Sequence, residues 1–436
     1  MNDSKNLIFA VLLSALVLLG WTWAANKYFP TANPPSTKVE NGKQEPVPQS
    51  ASQPSAPSTR KALKSVSAAL ASSPRVAIRT PSLTGSINLK GAQIDDLLLV
   101  NEKQTIAPNS PPVRLLSPLG APGSYIAEFG WAADGAQAPT LETMWTADSQ
   151  QLAPGHPVTL NTQMQDGTRY QLKIAVDDGF LFTVQQSALN ASGKPFSVRP
   201  IGLVSRGGKS ADPSTWTNHV GPIGVFDGKA NYKVNWKDLD EGTSEAFNNV
   251  GGWLGFTDKY WLTALAPAAG QMNAEFRKSP SGGYQADYAL SPLNVAPGQT
   301  ATSQTRLFAG AKEKAWLDRY EDAGISKLSK SIDWGWFEFF MRPIFGLLMF
   351  LFHTLGNFGL AIIALTFIVR AIMYPVAHKQ FQSMAAMRKL QPKMKAVQER
   401  FKDDKQRQQQ EILKLYQEEK VNPAAGCLPI LLQIPV

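Results

Sequence analysis

The stretch FGLAIIALTFIVRAIMYP, residues 358–375, is an apolar run broken by a single charge, Arg370. As a helix it is long enough to cross most of a hydrocarbon core of about 30 Å. It therefore predicts a membrane protein and raises the question of the arginine. An arginine at mid-bilayer costs about 2.5–3.5 kcal/mol on insertion scales. One reading puts Arg370 at the cytoplasmic end, its stem in lipid and its guanidinium among headgroups. The other lets it face a wet cavity inside the bilayer, where its charge is used. The run by itself leaves both open.

Charge downstream orients the span. Residues 376–425 hold 11 Lys/Arg against six Asp/Glu, much of the chain's net charge of +9. Such an excess beside a span marks the cytoplasmic side. The segment reads as a helical hairpin. Phe381, Met384, Met387, Leu390, Met394, Val397 and Phe401 stripe residues 377–401, with Pro392 placed to kink them. Lys402-Asp403-Asp404 makes the turn, and Ile412, Leu415 and Tyr416 stripe 405–420. Its basic residues Arg388, Lys389, Lys393, Lys395, Arg400, Lys405 and Arg407 are candidate contacts for ribosomal RNA, anionic lipid or a targeting factor. Beyond it, 426–436 opens another apolar run around Cys427, expected to be the start of a further span in a C-terminally truncated chain.

Upstream, WGWFEFFMRPIFGLLMFLFH (334–353) is interrupted by Glu338, Arg342 and Pro343. Only Ile344–Phe352 is uninterrupted, so 334–355 is expected to lie in the interface as an amphipathic helix; a further span is the alternative. At the N-terminus, LIFAVLLSALVLLGWTWAA (7–25) reads as an uncleaved anchor over 1–28, with Trp21, Trp23 and Tyr28 as an aromatic belt. A cleaved signal peptide is the rival, opposed by the run's length and its weakly charged start. One anchor and one return span at 356–375 put the N-terminus and the basic hairpin (376–425) in the cytoplasm and everything between outside. A third span would place the basic hairpin outside, so 334–355 is expected to lie flat.

Residues 29–75, rich in Pro, Ser, Ala and Gln, read as a disordered tether. From 76 to 311 short strands alternate with turns, as expected of an antiparallel β-sandwich. RYQLKIAVDDGFLFTVQQSA (169–188) flanks Asp178-Gly179, a type I′ hairpin signal. Strands are also expected at 196–206, 232–236, 261–267, 284–290 and 302–310. A linking helix is expected over 312–333, with Trp316, Leu317, Tyr320 and Ile325 on one face. Residues 75–330 carry 23 Lys/Arg and 23 Asp/Glu, a balance that suggests no DNA-binding surface. GGKS (207–210) lacks the earlier glycine of a P-loop, and His156 and His219 stand alone, so neither phosphate cradling nor a metal site is expected. A single cysteine excludes an internal disulfide framework.

TFIVRAIMYP (366–375), SMAAMRKLQPKMKAVQERFKDDKQR (383–407) and KVNPAAGCLPILLQIP (420–435) together resemble the YidC family of membrane-protein insertases in its Gram-negative form. GGWLGFTDKYWLTAL (251–265) is similar to that family's large periplasmic domain. The resemblance implies a multi-domain membrane protein: an N-terminal anchor, a periplasmic β-sandwich, and an α-helical insertase core, here incomplete, with a cytoplasmic hairpin. It implies inner-membrane location and a chaperone-like insertase acting alone or beside the Sec translocon, not an enzyme, with no cofactor. Clients would be nascent membrane proteins; ribosome, signal-recognition targeting factors and anionic lipids would be further partners. It implies a polar groove closed toward the outside and lined by Arg370, by Thr366 one turn earlier, and by Gln433. The alternatives are a membrane-anchored periplasmic carbohydrate-binding protein and a passive scaffold.

Overall fold

The computed structural model describes residues 38–40, 43–45, 65–212, 215, 218–268, 270–279, 282–402 and 404–418. The expected anchor (1–28), most of the tether, and the apolar run at 426–436 with Cys427 and Gln433 lie outside the described residues. In the tether region, Lys38–Glu40 pairs antiparallel with Lys43–Glu45. The chain divides into two compact units, one ending at Asp333 and the other beginning at Trp334.

The first unit is β-rich, as its turn-punctuated sequence requires. A nine-stranded and an eleven-stranded sheet share one apolar core. Pairing is antiparallel except where Arg75–Arg79 meets Gln151–Leu152. Strand Arg169–Val176 shows the cause: Tyr170, Leu172, Ile174 and Val176 point into the core while the intervening residues point out. The expected strands at 196–206, 261–267 and 284–290 coincide with Phe196–Arg206, Trp261–Pro267 and Tyr284–Leu290; the expected 302–310 falls within Thr300–Ala311.

Two local readings need correction. Residues 232–236 are not a strand: the strand is Lys229–Asn231, and the helix Trp236–Asp240 begins just after Asn235. The Asn235 side chain accepts from the amides of Lys237 and Asp238, and Asp238 returns a bond to the Asn235 amide, so a capping box outweighs the β propensity of Tyr-Lys-Val. Nor is the hairpin at Asp178-Gly179 type I′. Val176 pairs with Phe182, and Gly179 does not have the positive φ that type I′ demands. Instead the Asp177 carboxylate accepts the amides of Gly179 and Leu181, each at 3.0 Å.

The linking segment is part of this β unit. Helix Lys314–Asp322 and the 3-10 turn Leu328–Ser331 bury Leu317, Tyr320, Ile325 and Leu328 in the sandwich core. Trp253 donates its indole N–H to the Ser326 carbonyl at 3.1 Å, and Tyr232 its hydroxyl to that of Lys330 at 2.5 Å. The segment is therefore packed down along its length.

In the second unit, helix Glu338–Leu355 ends at Gly356 in the left-handed conformation, φ 65°. The Gly356 amide caps the Phe352 carbonyl at 2.8 Å, and glycine supplies this turn without a Cβ clash. Helix Phe358–Arg400 follows at once and is continuous for 43 residues, about 65 Å at 1.5 Å per residue. It passes through Pro375 and Pro392, where the sequence suggested a boundary and a kink. Each proline removes one backbone donor, and the flanking Ala, Met, Lys and Gln are strong helix formers that carry the helix onward. Helix Lys405–Glu418 completes the described chain.

Candidate functional site

Helix Phe358–Arg400 begins on Asn357, whose side chain accepts the Leu360 amide at 3.1 Å. Its first turn is held to the preceding helix. The Phe352 and Phe358 rings meet edge-on at 5.6 Å, and Ala361 is fully buried. From that fixed start the helical repeat sets every later side chain.

Thr366 and Arg370 are four residues apart and so share one face. Both are exposed. The Thr366 hydroxyl donates to the Ile362 carbonyl at 2.8 Å. Its donor is thus satisfied within the helix, which removes most of the penalty for a hydroxyl in lipid and leaves its lone pairs free to accept. Arg370 forms no ion pair or hydrogen bond among the described residues. It offers five N–H donors and no acceptor.

Both Glu338–Leu355 and Phe358–His378 are long and apolar enough to cross a membrane, with mean hydropathies of 1.3 and 2.1. Arg370 is the sole charged residue between Phe358 and His378. At 1.5 Å per residue it stands about 18 Å from the start of that window and about 12 Å from its end. Pro375 does not end the helix, which runs on to Arg400. Near the far end Tyr374 stacks on His378 at 5.8 Å, and Gln382 Nε2 lies 2.9 Å from His378 Nε2. Polar side chains therefore follow the arginine at one, two and three helical turns.

The basic hairpin forms as the stripes require. Leu390 is buried, and Met394, Val397, Phe401, Ile412, Leu415 and Tyr416 are half-buried. Tyr416 donates to Met394 Sδ at 3.4 Å, and Gln408 Nε2 to the Gln398 carbonyl at 2.9 Å, tying the two helices. Phe381 departs from the expected stripe: it is 68% exposed, being too far along the helix for the shorter partner to cover. Arg388, Lys389, Lys393, Lys395, Arg400, Lys405 and Arg407 are all exposed. Arg400 and Arg407 flank the Phe401 ring at 5.6 and 5.7 Å, a cation–π pair that orders the turn.

Gln433 lies outside the described residues. Among the described residues no group of His, Cys, Asp and Glu could hold a metal. Sequence reasoning passed over the polar seam where the β unit ends. There Lys312 donates to Thr257 Oγ1 at 3.0 Å and the Ser331 carbonyl at 3.4 Å, and the His219 amide donates to Asp333 at 3.2 Å. Burial lowers the Lys312 ammonium to about 8, against the pull of Asp258, Asp333 and Asp212. These residues are scattered through the sequence, and no spacing signals their meeting.

Comparison with known proteins covers most of the chain. The family described as YidC periplasmic domain matches residues 75–347, and that described as 60Kd inner membrane protein matches 350–436. "Membrane protein insertase YidC" of Zymomonas mobilis subsp. mobilis is 42% identical over 440 residues, covering 100% of this chain and 75% of that protein. The protein of the same name from Bradyrhizobium diazoefficiens is 40% identical over 471 residues, covering 100% and 76%. Among solved structures, the GalM/aldose epimerase homologue from C. elegans covers 55% of this chain and 99% of its own, with TM-score 0.37 and 8% identity.

Proposed function

The chain belongs to the YidC family of membrane protein insertases, and we propose that Arg370 and Thr366 line the polar path by which it moves a client's soluble segment. The activity itself is that of the family: the protein inserts other membrane proteins, and its substrates are nascent membrane proteins. Its β-rich domain corresponds to the family's periplasmic domain, and its apolar helices place it in the membrane.

Insertion poses a solvation problem. A client's polar tail must cross a medium in which each unsatisfied backbone group costs several kcal/mol. A wet groove part-way through the bilayer holds that tail at lower cost. The Arg370 guanidinium attracts acidic groups of the tail, more strongly there than in bulk water because the local dielectric is low. Thr366 offers acceptor lone pairs one turn away. The client's apolar helix then leaves sideways into lipid, driven by burial of its surface. The protein undergoes no covalent chemistry in this scheme. Gln433 joins the same groove as a polar position of the following span.

The setting of Arg370 carries this reading. It is the sole charge in its apolar span, it is exposed, and it shares one helix face with Thr366. Photo-crosslinkers at 366 and 370 test it. Stalled single-span clients should crosslink there and not at Ile372, on the other side of the helix. Equal yields at 366, 370 and 372 contradict a groove on this face.

The remaining assignments belong to the same proposal. The β unit lies in the periplasm and the hairpin in the cytoplasm, as the positive-inside rule directs. Glu338 and Arg342, paired at 3.3 Å, then lie at the outer interface on a flat-lying helix 334–355. The hairpin's basic face meets anionic lipid, the ribosome or a signal-recognition factor, and the Sec translocon is a lateral partner.

A further inference from the structure

The strands Trp253–Thr257 and Trp261–Pro267 are joined through Asp258-Lys259-Tyr260. Tyr260 is 56% exposed at this tip. The Lys259 ammonium lies 5.0 Å from the Tyr260 ring centre, and the half-buried Trp261 ring meets Tyr260 at 6.0 Å. Asp212 accepts the Lys259 amide at 3.1 Å, and Asp258 is held by Arg206 at 3.0 Å.

The tip is tied to the point where the chain leaves the β unit. The Tyr260 carbonyl accepts the Lys312 amide at 2.8 Å, and Lys312 Nζ reaches the Ser331 carbonyl at 3.4 Å. Asp333, two residues on, is fixed by the His219 amide. Helix Glu338–Leu355 opens five residues after Asp333. The opposite end of strand Trp253–Thr257 carries a second apolar tip, Val250, 74% exposed and about 17 Å away along the strand.

We propose that the Lys259-Tyr260 tip seats in the lipid headgroup layer, with the Tyr260 ring at the acyl boundary and the Lys259 ammonium among phosphates. Tyr and Trp favour this depth because one end of each ring is apolar and the other polar, and a lysine beside them can lay its stem along the apolar layer with its ammonium among phosphates. One aromatic with one cation is too small a patch for a stable protein interface, which needs about 800 Å² per partner. Seating the tip would fix the height of the β unit above the membrane.

The test uses the whole protein in liposomes, with Cys427→Ser and single cysteines at 260, 250 or 372 bearing an environment-sensitive fluorophore. Part of the lipid carries a shallow spin-label quencher. The label at 372 reports that the chain is inserted. The label at 260 should be blue-shifted and lose fluorescence with quencher lipid, while that at 250 stays water-like and unquenched. Labels at 260 and 250 behaving alike, with 372 buried, overturn the proposal and leave the insertase reading intact. A blue-shifted label at 260 that the quencher does not reach shows that protein, not lipid, covers the tip, and overturns it equally.

Discussion

Tyr320 donates its hydroxyl to the Asp177 carboxylate at 2.7 Å and accepts the Phe180 amide at 2.9 Å. This one side chain locks the last helix of the β unit onto a hairpin 143 residues earlier in the chain. Tyr320→Phe leaves a buried amide and a carboxylate short of a partner, a loss of about 1–3 kcal/mol. Denaturant unfolding of the whole protein, followed by Trp fluorescence, should show a lower midpoint with unchanged slope. An unmoved midpoint contradicts the lock.

Gly179 belongs to the same contact. A Cβ there would lie 2.3 Å from the Tyr320 oxygen and 2.7 Å from the Trp316 ring. Gly179→Ala should destabilise by about 1–3 kcal/mol through overpacking. Combined with Tyr320→Phe, which removes the nearest atom, the two losses should sum to less than their separate values. Strict additivity in unfolding measurements would show that the glycine serves the turn and not the helix contact.

Lys312 makes stability depend on pH. Burial lowers its ammonium from the usual 10.5 to about 8 in the folded protein. Between those values the unfolded chain binds more protons, so stability rises with pH, by less than about 1.4 kcal/mol per unit. Below 8 both states are protonated and the cost of the buried charge is constant. Measured from pH 7.5 to 9.5, the wild type should gain stability relative to Lys312→Met, chiefly above pH 8. A pH-independent difference contradicts this assignment.

The hairpin's basic face should act as a salt-screened surface. Replacing Arg388, Lys389, Lys393 and Lys395 with Gln removes four exposed cations, each worth about 1 kcal/mol near an anionic membrane. The helices should persist, because none of the four is a buried stripe residue. Co-sedimentation of ribosomes with proteoliposomes should fall at low salt and converge with wild type at high salt. A salt-independent loss would point to a non-electrostatic contact.

Much of this architecture is legible in the sequence because its signals are local. Alternation wrote Arg169–Val176, apolar length wrote Phe358–His378, and heptad-like stripes wrote the hairpin. The failures are tertiary. Gly179 read as a turn former but is required by the ring of Trp316, and a linking helix proved to be core because Leu317 and Tyr320 fill the sandwich. Pro375 read as a stop, yet the helix continues through it. The meeting of Lys312, His219 and Asp333 depends on strands far apart in sequence and left no local trace.

The central claim concerns the charge on Arg370, and its most direct measurement is insertion into proteoliposomes by the complete protein. Two single-span clients are compared, differing only in whether the translocated tail carries acidic residues. Arg370→Ala should reduce insertion of the acidic client well beyond that of the neutral one, and Arg370→Lys should restore much of the difference. Equal losses for both clients, or none for either, contradict an electrostatic role for this residue.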